Sequence, residues 1–436
     1  MKIAILGFAR EGHSVLNFLK KDGAFKNAEI WILDENPKIE VPVGLNSATG
    51  AGYLKNLSRF DIIFRTPGIP YLLPEIQKVK NSGVKISSAT NLFLERCPGT
   101  IIGITGTKGK GTVSTLLYEI LKACPGYSRR VFLAGNIGKP ALDVLPKMDK
   151  KSIAIFELSS FQLQDIKISP SVAVVLDIFP DHLDAHKSLN EYYEAKTNIA
   201  RYQKNGDRTF FFKNIPLSRK VAAKGKGRKI GVDEKTFKIF SPDDILIRGS
   251  HNFKNAVMAA EIAKSLGVPE KIIARTVRGF RGTEHRLEFV RALSKNGKKI
   301  CFYNDSASTN PQTAAAAINA FPDEEKILIA GGQDKNLDYK PLAEALKSDS
   351  RRAKTELVIL FGENKNKIKA AIKKSGIKTK IAAGLKDSVD IAYKAAREFP
   401  FPSLILFSPA ATSFDMFKNY SDRGEKFKKI VMGLIQ

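Results

Sequence analysis

The chain has 436 residues, of which 43% are hydrophobic and 26% are charged, so it is too long for one compact core and too apolar for disorder. Its three cysteines, Cys97, Cys124 and Cys301, have no metal-type spacing and are odd in number, which excludes a simple disulfide framework and indicates a reducing compartment. No apolar run is long enough for a signal peptide or a membrane span, and we therefore expect a cytoplasmic protein without a membrane partner.

The net charge of +27 would draw the protein toward polyanions. The basic residues are spread over the chain, as in KNKIKAAIKKSGIKTK, and no aromatic-interleaved stripe or nucleic-acid motif accompanies them. We interpret them as a solvated surface that also favours small anionic substrates, and we expect no nucleic-acid partner. The alternative is a non-catalytic protein that binds nucleic acid through charge, and a steep salt dependence of DNA retention would support it.

Short apolar runs, each followed by turn residues and then by helical periodicity, predict parallel strands with crossover helices, and hence an α/β fold. Three series of strands are predicted: KIAILG, EIWILD and DIIFRTPGIP; then GTIIGITGTKGKGT, SIAIFELSS and SVAVVLDIFPDHLD; then KKICFYNDSAS, KILIAGGQDK, ELVILFGEN and SLILFSPAATSFD. Each series would build its own sheet, which predicts domains at 1–92, 93–283 and 284–436. Ligands of such sheets bind beyond the carboxyl ends of the strands, so the polar residues there are the candidate functional residues.

The first strand runs into the turn Gly7-Phe8-Ala9-Arg10-Glu11-Gly12. The dinucleotide pattern G-x-G-x-x-G fails here at Ala9, and Asp34 at the end of the second strand would serve the ribose of another nucleotide as well as that of a nicotinamide dinucleotide. A nicotinamide-dependent oxidoreductase is the alternative that this turn leaves open.

A glycine-rich loop between the strand at Ile101–Ile104 and the helix VSTLLYEILKA is the strongest motif of the chain. Such a loop lets backbone N–H groups wrap a phosphate, the helix dipole adds partial positive charge, and a lysine and a hydroxyl complete the contacts to phosphate and metal. The loop predicts a phosphate site made of Gly106, Thr107, Lys108, Gly109, Lys110, Gly111 and Thr112. It departs from G-x-x-x-x-G-K-[ST], because Gly111 follows the lysine and Thr112 must supply the hydroxyl.

Two further strand ends carry candidate metal ligands. Glu157 ends the run that begins at Ser152, and a carboxylate there can hold the Mg²⁺ that bridges ATP phosphates, or it can cap the next helix. His182 follows the next strand in DIFPDHLD, although a lone histidine is more often structural. Lys196 lies on the same helical face as Tyr192 and Ile199, so we expect it to point inward, where it must be paired, deprotonated or modified.

Together these motifs resemble the Mur ligases. GITGTKGKGT, GNIG, ELSSFQL, DHLDAH, YYEAK, GSHNFKNAVMAA, EHRLE, NDSASTN, GGQDK and SPAATSFDMFKNYSDRG occur in the order of that family and cover nearly the whole chain. The resemblance is closest to the D-glutamate-adding branch, because the turn Thr66-Pro67-Gly68 and the SPA-x-x-S-x-D ending are both present. It implies an N-terminal Rossmann-like UDP-binding domain, a central P-loop ATPase-type domain and a C-terminal Rossmann-like amino-acid-binding domain.

The resemblance also implies an activity. It is the ATP-dependent addition of D-glutamate to UDP-N-acetylmuramoyl-L-alanine through an acyl phosphate, in peptidoglycan precursor synthesis, by a monomer whose partners are small molecules. Two Mg²⁺ ions are implied, one held by Thr112 and Glu157 and the other by His182 and a carbamylated Lys196. The catalytic residues would be Lys110, Glu157, His182 and Lys196.

The remaining implied site residues fall into three groups. Those for ATP, beyond the loop, are Asn252, Asn255, Arg286 and Asp305. Those for the UDP substrate are Arg10, Glu11, Asp34, Gly68, Asn136 and Ser159. Those for the incoming amino acid are Thr309, Lys335, Ser413, Phe414 and Tyr420.

Three positions depart from the family pattern: Gly111 replaces the usual hydroxyl, Ala307 stands where a lysine is frequent, and Glu11 replaces a small or hydroxyl residue in the turn for the uracil. The first departure is associated with folylpolyglutamate synthases, which use the same chemistry on a pterin substrate. That alternative, like another Mur ligase adding a different amino acid, stays open, although folylpolyglutamate synthases lack the amino-terminal nucleotide domain predicted here.

Overall fold

The computed structural model describes residues 1–179, 186–247, 249–295, 297–349 and 354–435. Three mainly parallel sheets follow one another along the chain, which confirms the predicted α/β class. None of the helices within these ranges combines the length and the apolar character that a membrane span needs.

The first sheet has the strand order β3-β2-β1-β4-β5, with every pair parallel. The chain leaves β1 toward β2 on one side and returns to β4 on the other, so the crevice between the carboxyl ends of β1 and β4 is the expected ligand position. The strands are β1 Lys2–Leu6, β2 Glu29–Asp34, β3 Asn46–Thr49, β4 Ile62–Arg65 and β5 Lys85–Ser87, and the helices are α1 Arg10–Lys21, α2 Pro74–Asn81 and α3 Ala89–Arg96.

The second sheet has the order β11-β10-β9-β6-β8-β7, again parallel throughout. The central strand β6 is buried between β8 and β9, so the glycine-rich loop leaves the middle of the sheet. The strands are β6 Thr100–Thr105, β7 Val131–Gly135, β8 Ile153–Glu157, β9 Val172–Val175, β10 Arg208–Phe212 and β11 Arg228–Val232. The helices from here to the third sheet are α4 Lys110–Ala123, α5 Ala141–Val144, α6 Ser160–Leu163, α7 Leu189–Arg201, α8 Pro216–Ala222, α9 Ser250–Ser265 and α10 Glu270–Gly279.

The third sheet has the order β12-β13-β17-β14-β15-β16, and only β12 is antiparallel to its neighbour among these strands. Alternate residues of β14 enter two different apolar clusters, Ile327 and Ile329 in one and Leu328 and Ala330 in the other, so both faces are buried. The strands are β12 Glu288–Lys295, β13 Lys298–Asn304, β14 Glu325–Gly331, β15 Thr355–Phe361, β16 Lys378–Ile381 and β17 Ser403–Phe407. The helices are α11 Pro311–Asn319, α12 Lys340–Ser348, α13 Lys365–Ile372, α14 Leu385–Glu398 and α15 Tyr420–Met432.

The chain forms two compact units. The first contains residues 1–240 and 254–277, with the first and second sheets, and the second contains residues 241–253 and 278–436, with the third sheet. Each sheet lies within one of the three predicted domains, whose boundaries themselves stay a prediction.

A buried ion pair links the first two sheets within the first unit. The side chains of Arg65 and Asp165 are 1% and 2% exposed, and Arg65 Nη2 lies 3.3 Å from Asp165 Oδ1. The same guanidinium donates to the carbonyl oxygens of Ile69 at 2.7 Å and Phe161 at 2.9 Å. Burial raises the pKa of Asp165 above its ordinary value although the guanidinium opposes that shift. Removing one partner would therefore leave an uncompensated charge in the interior.

We expect Asp165→Ala to lower the free energy of unfolding by roughly 3–5 kcal/mol, since it leaves Arg65 buried without its carboxylate. Urea unfolding measures the loss. The double variant Arg65→Met with Asp165→Leu should recover most of it, because an apolar pair of similar volume carries no desolvated charge. Lys2→Ala breaks an exposed pair with Glu29 and should leave stability nearly unchanged. A similarly small effect of Asp165→Ala would contradict this account.

Candidate active site

The loop after β6 has the geometry of an anion site. Gly109 precedes α4 with φ 85°, and a Cβ added there would lie 2.4 Å from Asn255 Oδ1, so only glycine fits. No side chain caps the amino terminus of α4, a helix of 14 residues, and the first backbone N–H groups of such a helix have no acceptor within it, which favours an anion there. Asn255, predicted to bind ATP, is thus brought against the predicted phosphate loop.

Thr107 fixes this loop to the end of β9 and to α7. Its backbone N–H donates to Asp177 O at 2.6 Å, and its hydroxyl lies 3.0 Å from Phe179 O and 2.8 Å from the Tyr192 hydroxyl. Lys108 lies 5.6 Å from the centre of the Phe179 ring. The loop is therefore held by its threonine, while the lysines flank it.

Two lysine amino groups converge on one carbonyl of the loop. Lys110 Nζ donates to Gly106 O at 3.0 Å and to Thr107 O at 3.1 Å, and Lys196 Nζ donates to the same Gly106 O at 3.0 Å. Lys196 is 2% exposed and its Nζ lies 4.7 Å from the centre of the Tyr192 ring. The prediction that Lys196 points inward is confirmed, and the structure adds that its amino group contacts the glycine-rich loop after β6.

Two oxygen-bearing side chains predicted to hold Mg²⁺ lie near this loop. Glu157, 6% exposed, ends β8, where it pairs in register with Ile104 of β6, and Thr112 is half-buried in the first turn of α4. A carboxylate and a hydroxyl at one sheet edge fit Mg²⁺, which usually takes one or two protein oxygens besides phosphate. Among the described residues, no group of three or more His, Cys, Asp or Glu could hold a metal. His182 lies outside the described residues.

His186, the second histidine of DHLDAH, is a residue that the sequence reasoning missed. It is buried, with Nδ1 at 2.6 Å from Glu191 Oε2 and Nε2 at 2.9 Å from Ser160 Oγ, and its ring stacks on Phe161 at 4.8 Å. It thereby joins α6 to α7, which carries Lys196. The only sequence signal for His186 was its position at the end of the motif DHLDAH, which contains two aspartates.

The predicted nucleotide turn of the first sheet packs against the turn after β4. A Cβ at Gly7, where φ is 88°, would lie 2.2 Å from Thr66 Oγ1, so the two turns touch at the crevice between β1 and β4. Asp34 Oδ2 accepts the backbone N–H of Phe8 at 2.6 Å, and Gly68 is exposed in the second turn. Asp34 and Gly68 therefore share this sheet edge.

The other residues predicted for the UDP substrate meet the second sheet. Arg10 Nη2 donates to Gly135 O at 3.1 Å and Gly138 O at 3.2 Å, on either side of the exposed Asn136. Glu11 Oε1 accepts from Gln162 Nε2 at 3.1 Å, and Gln162 forms a capping box with Ser159. Two sets of contacts thus join this turn to the second sheet: Arg10 lies beside Asn136, and Gln162 connects Glu11 to Ser159. Gln162 was not predicted from the sequence.

In the second unit, Asp305 is a fully buried carboxyl. Its Oδ2 accepts from Ser408 Oγ at 2.7 Å and its Oδ1 from the backbone N–H of Leu287 at 3.2 Å. Burial raises the pKa of Asp305 to about 7, against the charge of the exposed Arg286. Arg286 and Asp305, both predicted to bind ATP, thus lie close enough to interact, and Asn252 is also buried in this unit.

The residues predicted for the amino acid cluster in part. Lys335 Nζ lies 5.6 Å from the centre of the Phe414 ring, and the backbone N–H of Gln333 donates to Thr412 O at 2.9 Å, which ties their two loops together. Phe414 is 59% exposed, whereas Ser413 is buried. Tyr420 is exposed at the start of α15, and Thr309 is half-buried before α11.

Known proteins resemble this chain over nearly its whole length. The family model described as the Mur ligase middle domain matches residues 104–263. The UDP-N-acetylmuramoylalanine–D-glutamate ligase of Acetivibrio thermocellus is 36% identical, over 99% of this chain and 96% of the relative. The chain belongs to the Mur ligase family. Membership confirms the prediction of an ATP-dependent ligase.

Solved Mur ligase structures share the fold. The UDP-N-acetylmuramate-alanine ligase of Thermotoga maritima superposes with a TM-score of 0.55 at 18% identity, covering 99% of both chains. The folylpolyglutamate synthase of Thermotoga maritima gives a TM-score of 0.54 at 16% identity and covers 80% of this chain and 94% of its own. At such identities the likeness concerns the fold alone.

Proposed function

We propose that this Mur ligase joins D-glutamate to UDP-N-acetylmuramoyl-L-alanine, with conversion of ATP to ADP and phosphate, in the synthesis of peptidoglycan precursors. The observation that carries the ATP part is the convergence of Lys110 and Lys196 on the loop after β6, beside Glu157. The relative of 36% identity, which spans the first sheet as well, supports the two other substrates. We further propose a cytoplasmic monomer that acts on small molecules.

The first step would activate the carboxylate of the muramoyl-alanine substrate. A carboxylate oxygen attacks the γ-phosphorus, the bond from that phosphorus to the β,γ-bridging oxygen breaks, and ADP leaves with the electron pair. Lys110 and the backbone N–H groups at the start of α4 would neutralise the charge that develops on the phosphate oxygens. Thr112 and Glu157 would hold a Mg²⁺ ion, which supplies further positive charge to the ATP phosphates.

The second step would form the amide. The uncharged amine of D-glutamate attacks the acyl carbon, inorganic phosphate leaves, and a proton is lost from the nitrogen. In the second unit, Lys335 beside Phe414 offers a cation near an exposed ring, which fits a substrate that carries two carboxylates. The edge of the first sheet around Asp34, Gly68 and Arg10 would hold the UDP end, with Asn136 and Ser159 nearer the muramoyl chain.

The decisive experiment measures phosphate release by purified protein with ATP, Mg²⁺ and UDP-N-acetylmuramoyl-L-alanine, with and without D-glutamate. We expect release only with all components, together with a product heavier by one glutamate residue. Phosphate release at the same rate with and without the muramoyl substrate would contradict the proposal. A pterin-glutamate substrate in the same assay tests the folylpolyglutamate alternative.

We expect strong discrimination for D-glutamate over D-alanine as the acceptor. A site that pairs a side-chain carboxylate leaves its polar groups unpaired with the smaller amino acid, which costs roughly 10⁴ in kcat/KM for a site built on hydrogen bonds. Steady-state rates with the two amino acids measure the ratio. Lys335→Ala should reduce it, whereas Lys340→Ala, an exposed lysine at the start of α12, should not. Equal rates with both amino acids would refute the proposal that D-glutamate is the acceptor.

A further inference from the structure

Glu11 departs from the pattern of the family, and the structure shows what it contacts. It lies in the first turn of α1, and its Oε1 accepts a hydrogen bond from Gln162 Nε2 at 3.1 Å. The charged groups that act on it are Arg10 of its own helix and Arg65 of β4. The contact therefore joins the nucleotide turn of the first sheet to the segment after β8.

Gln162 can face Glu11 in only one orientation. The backbone N–H of Ser159 donates to Gln162 Oε1 at 3.0 Å, which requires oxygen at that end of the amide and places its NH₂ group toward Glu11. A carboxylate is acceptor-only, so it accepts from that NH₂ group and would repel a carbonyl turned toward it. Both ends of the Gln162 amide are thus specified.

The orientation of Gln162 in turn determines the hydroxyl of Ser159. Ser159 Oγ lies 3.2 Å from Gln162 Oε1, to which it donates, and 3.2 Å from the backbone nitrogen of Gln162, from which it accepts. A hydroxyl has one proton and two lone pairs. The half-buried Ser159 hydroxyl therefore keeps one lone pair and no proton for a ligand.

We propose that Glu11 is a positioning residue, which acts through Gln162 to hold the Ser159 hydroxyl as a hydrogen-bond acceptor toward an N–H or O–H group of the muramoyl substrate. The inference rests on the proposed function, which places Ser159 at that substrate. Glu11 would thus contribute to the muramoyl end of the site instead of contacting the uracil.

Protonation of Glu11 would weaken this control. Burial raises the pKa of Glu11, and although Arg10, Gln162 and Arg65 oppose the shift, burial outweighs them. A protonated carboxyl is a weaker acceptor for the Gln162 NH₂ group, so the side chain of Gln162, and with it the Ser159 hydroxyl, would be held less firmly. Affinity for the muramoyl substrate should therefore fall as the pH is lowered through the raised pKa.

The test compares Glu11→Ala and Glu11→Gln in the phosphate-release assay. We expect Glu11→Ala to raise the KM for UDP-N-acetylmuramoyl-L-alanine about three- to tenfold, the range for one hydrogen bond, with the KM for ATP unchanged. Glu11→Gln should largely rescue this KM, because its amide oxygen can accept from Gln162, and it should lack the acid-dependent rise of the wild type. Glu75→Gln removes an exposed carboxylate from the first turn of α2 and should match the wild type.

Selective ¹⁵N labelling of glutamine provides a readout that does not need activity. The side-chain amide resonance of Gln162 should shift and broaden in Glu11→Ala but stay sharp in Glu11→Gln. A wild-type KM and an unchanged Gln162 resonance in Glu11→Ala would overturn the inference. Equal changes in kcat and in both KM values, with a lowered Tm, would show a merely structural role. A wild type without muramoyl-dependent phosphate release would instead refute the proposed function, and the resonance would still test the Gln162 contact.

Discussion

Lys110→Ala should lower the rate of ATP turnover by roughly 10²–10³, the cost of removing one charge that stabilises a transition state. The Lys110 amino group donates hydrogen bonds to the carbonyl oxygens of Gly106 and Thr107, so it needs only a small movement to reach a phosphate held by the loop. Steady-state phosphate release measures the loss. Lys122→Ala, at the exposed far end of the same helix, is the matched control and should retain activity.

The same variant should still bind the UDP substrate. The residues proposed for the UDP end lie at the edge of the first sheet, around Asp34 and Gly68, whereas Lys110 follows the central strand of the second. Isothermal titration with UDP-N-acetylmuramoyl-L-alanine should therefore give a Kd close to that of the wild type. Equal loss of substrate binding and ATP turnover would mean that Lys110 supports the fold and not the phosphates.

The sequence was sufficient for elements with strong local signals. The central strands are continuous apolar runs because helices cover both faces of a parallel sheet, and β1, β6, β8 and β14 were all predicted. The edge strands β3 and β16 were missed. β3 is NSAT and β16 is KTKI, and they are largely polar and exposed since an edge strand has little of the core to cover.

The contacts between side chains of distant segments could not be predicted. That Lys196 points inward follows from its helical face, but that it shares the Gly106 carbonyl with Lys110 depends on how α7 packs beside β9. The Glu11–Gln162 contact joins residues 151 positions apart. Spacing along the chain carries no information about such pairs, whereas the strand order, once known, brings the two segments together.

Lys196 is predicted to act as a carbamate, formed by addition of CO₂ to its amino group. Its amino group is buried and donates to the same carbonyl as Lys110, so two cationic groups approach one another beside the glycine-rich loop. Addition of CO₂ would replace one of these charges by an anionic oxygen ligand that attracts Lys110 and suits Mg²⁺. A glutamate at this position would not reach as far.

Lys196→Ala should consequently lose at least about 10² in kcat, as expected when a group that fixes transition-state charge is removed. A short carboxylic acid at high concentration should partly restore turnover by occupying the vacated space, whereas Lys187→Ala, an exposed lysine just before α7, should behave as wild type with and without the acid. Rigorous removal of bicarbonate and CO₂ should lower wild-type activity, provided that the adduct exchanges during the assay. Mass measurement under conditions that preserve the labile adduct should find the extra carboxyl on Lys196. An unmodified ammonium paired with a carboxylate in the enzyme bound to ATP and Mg²⁺ would refute the carbamate and leave Lys196 as an ion-pair residue.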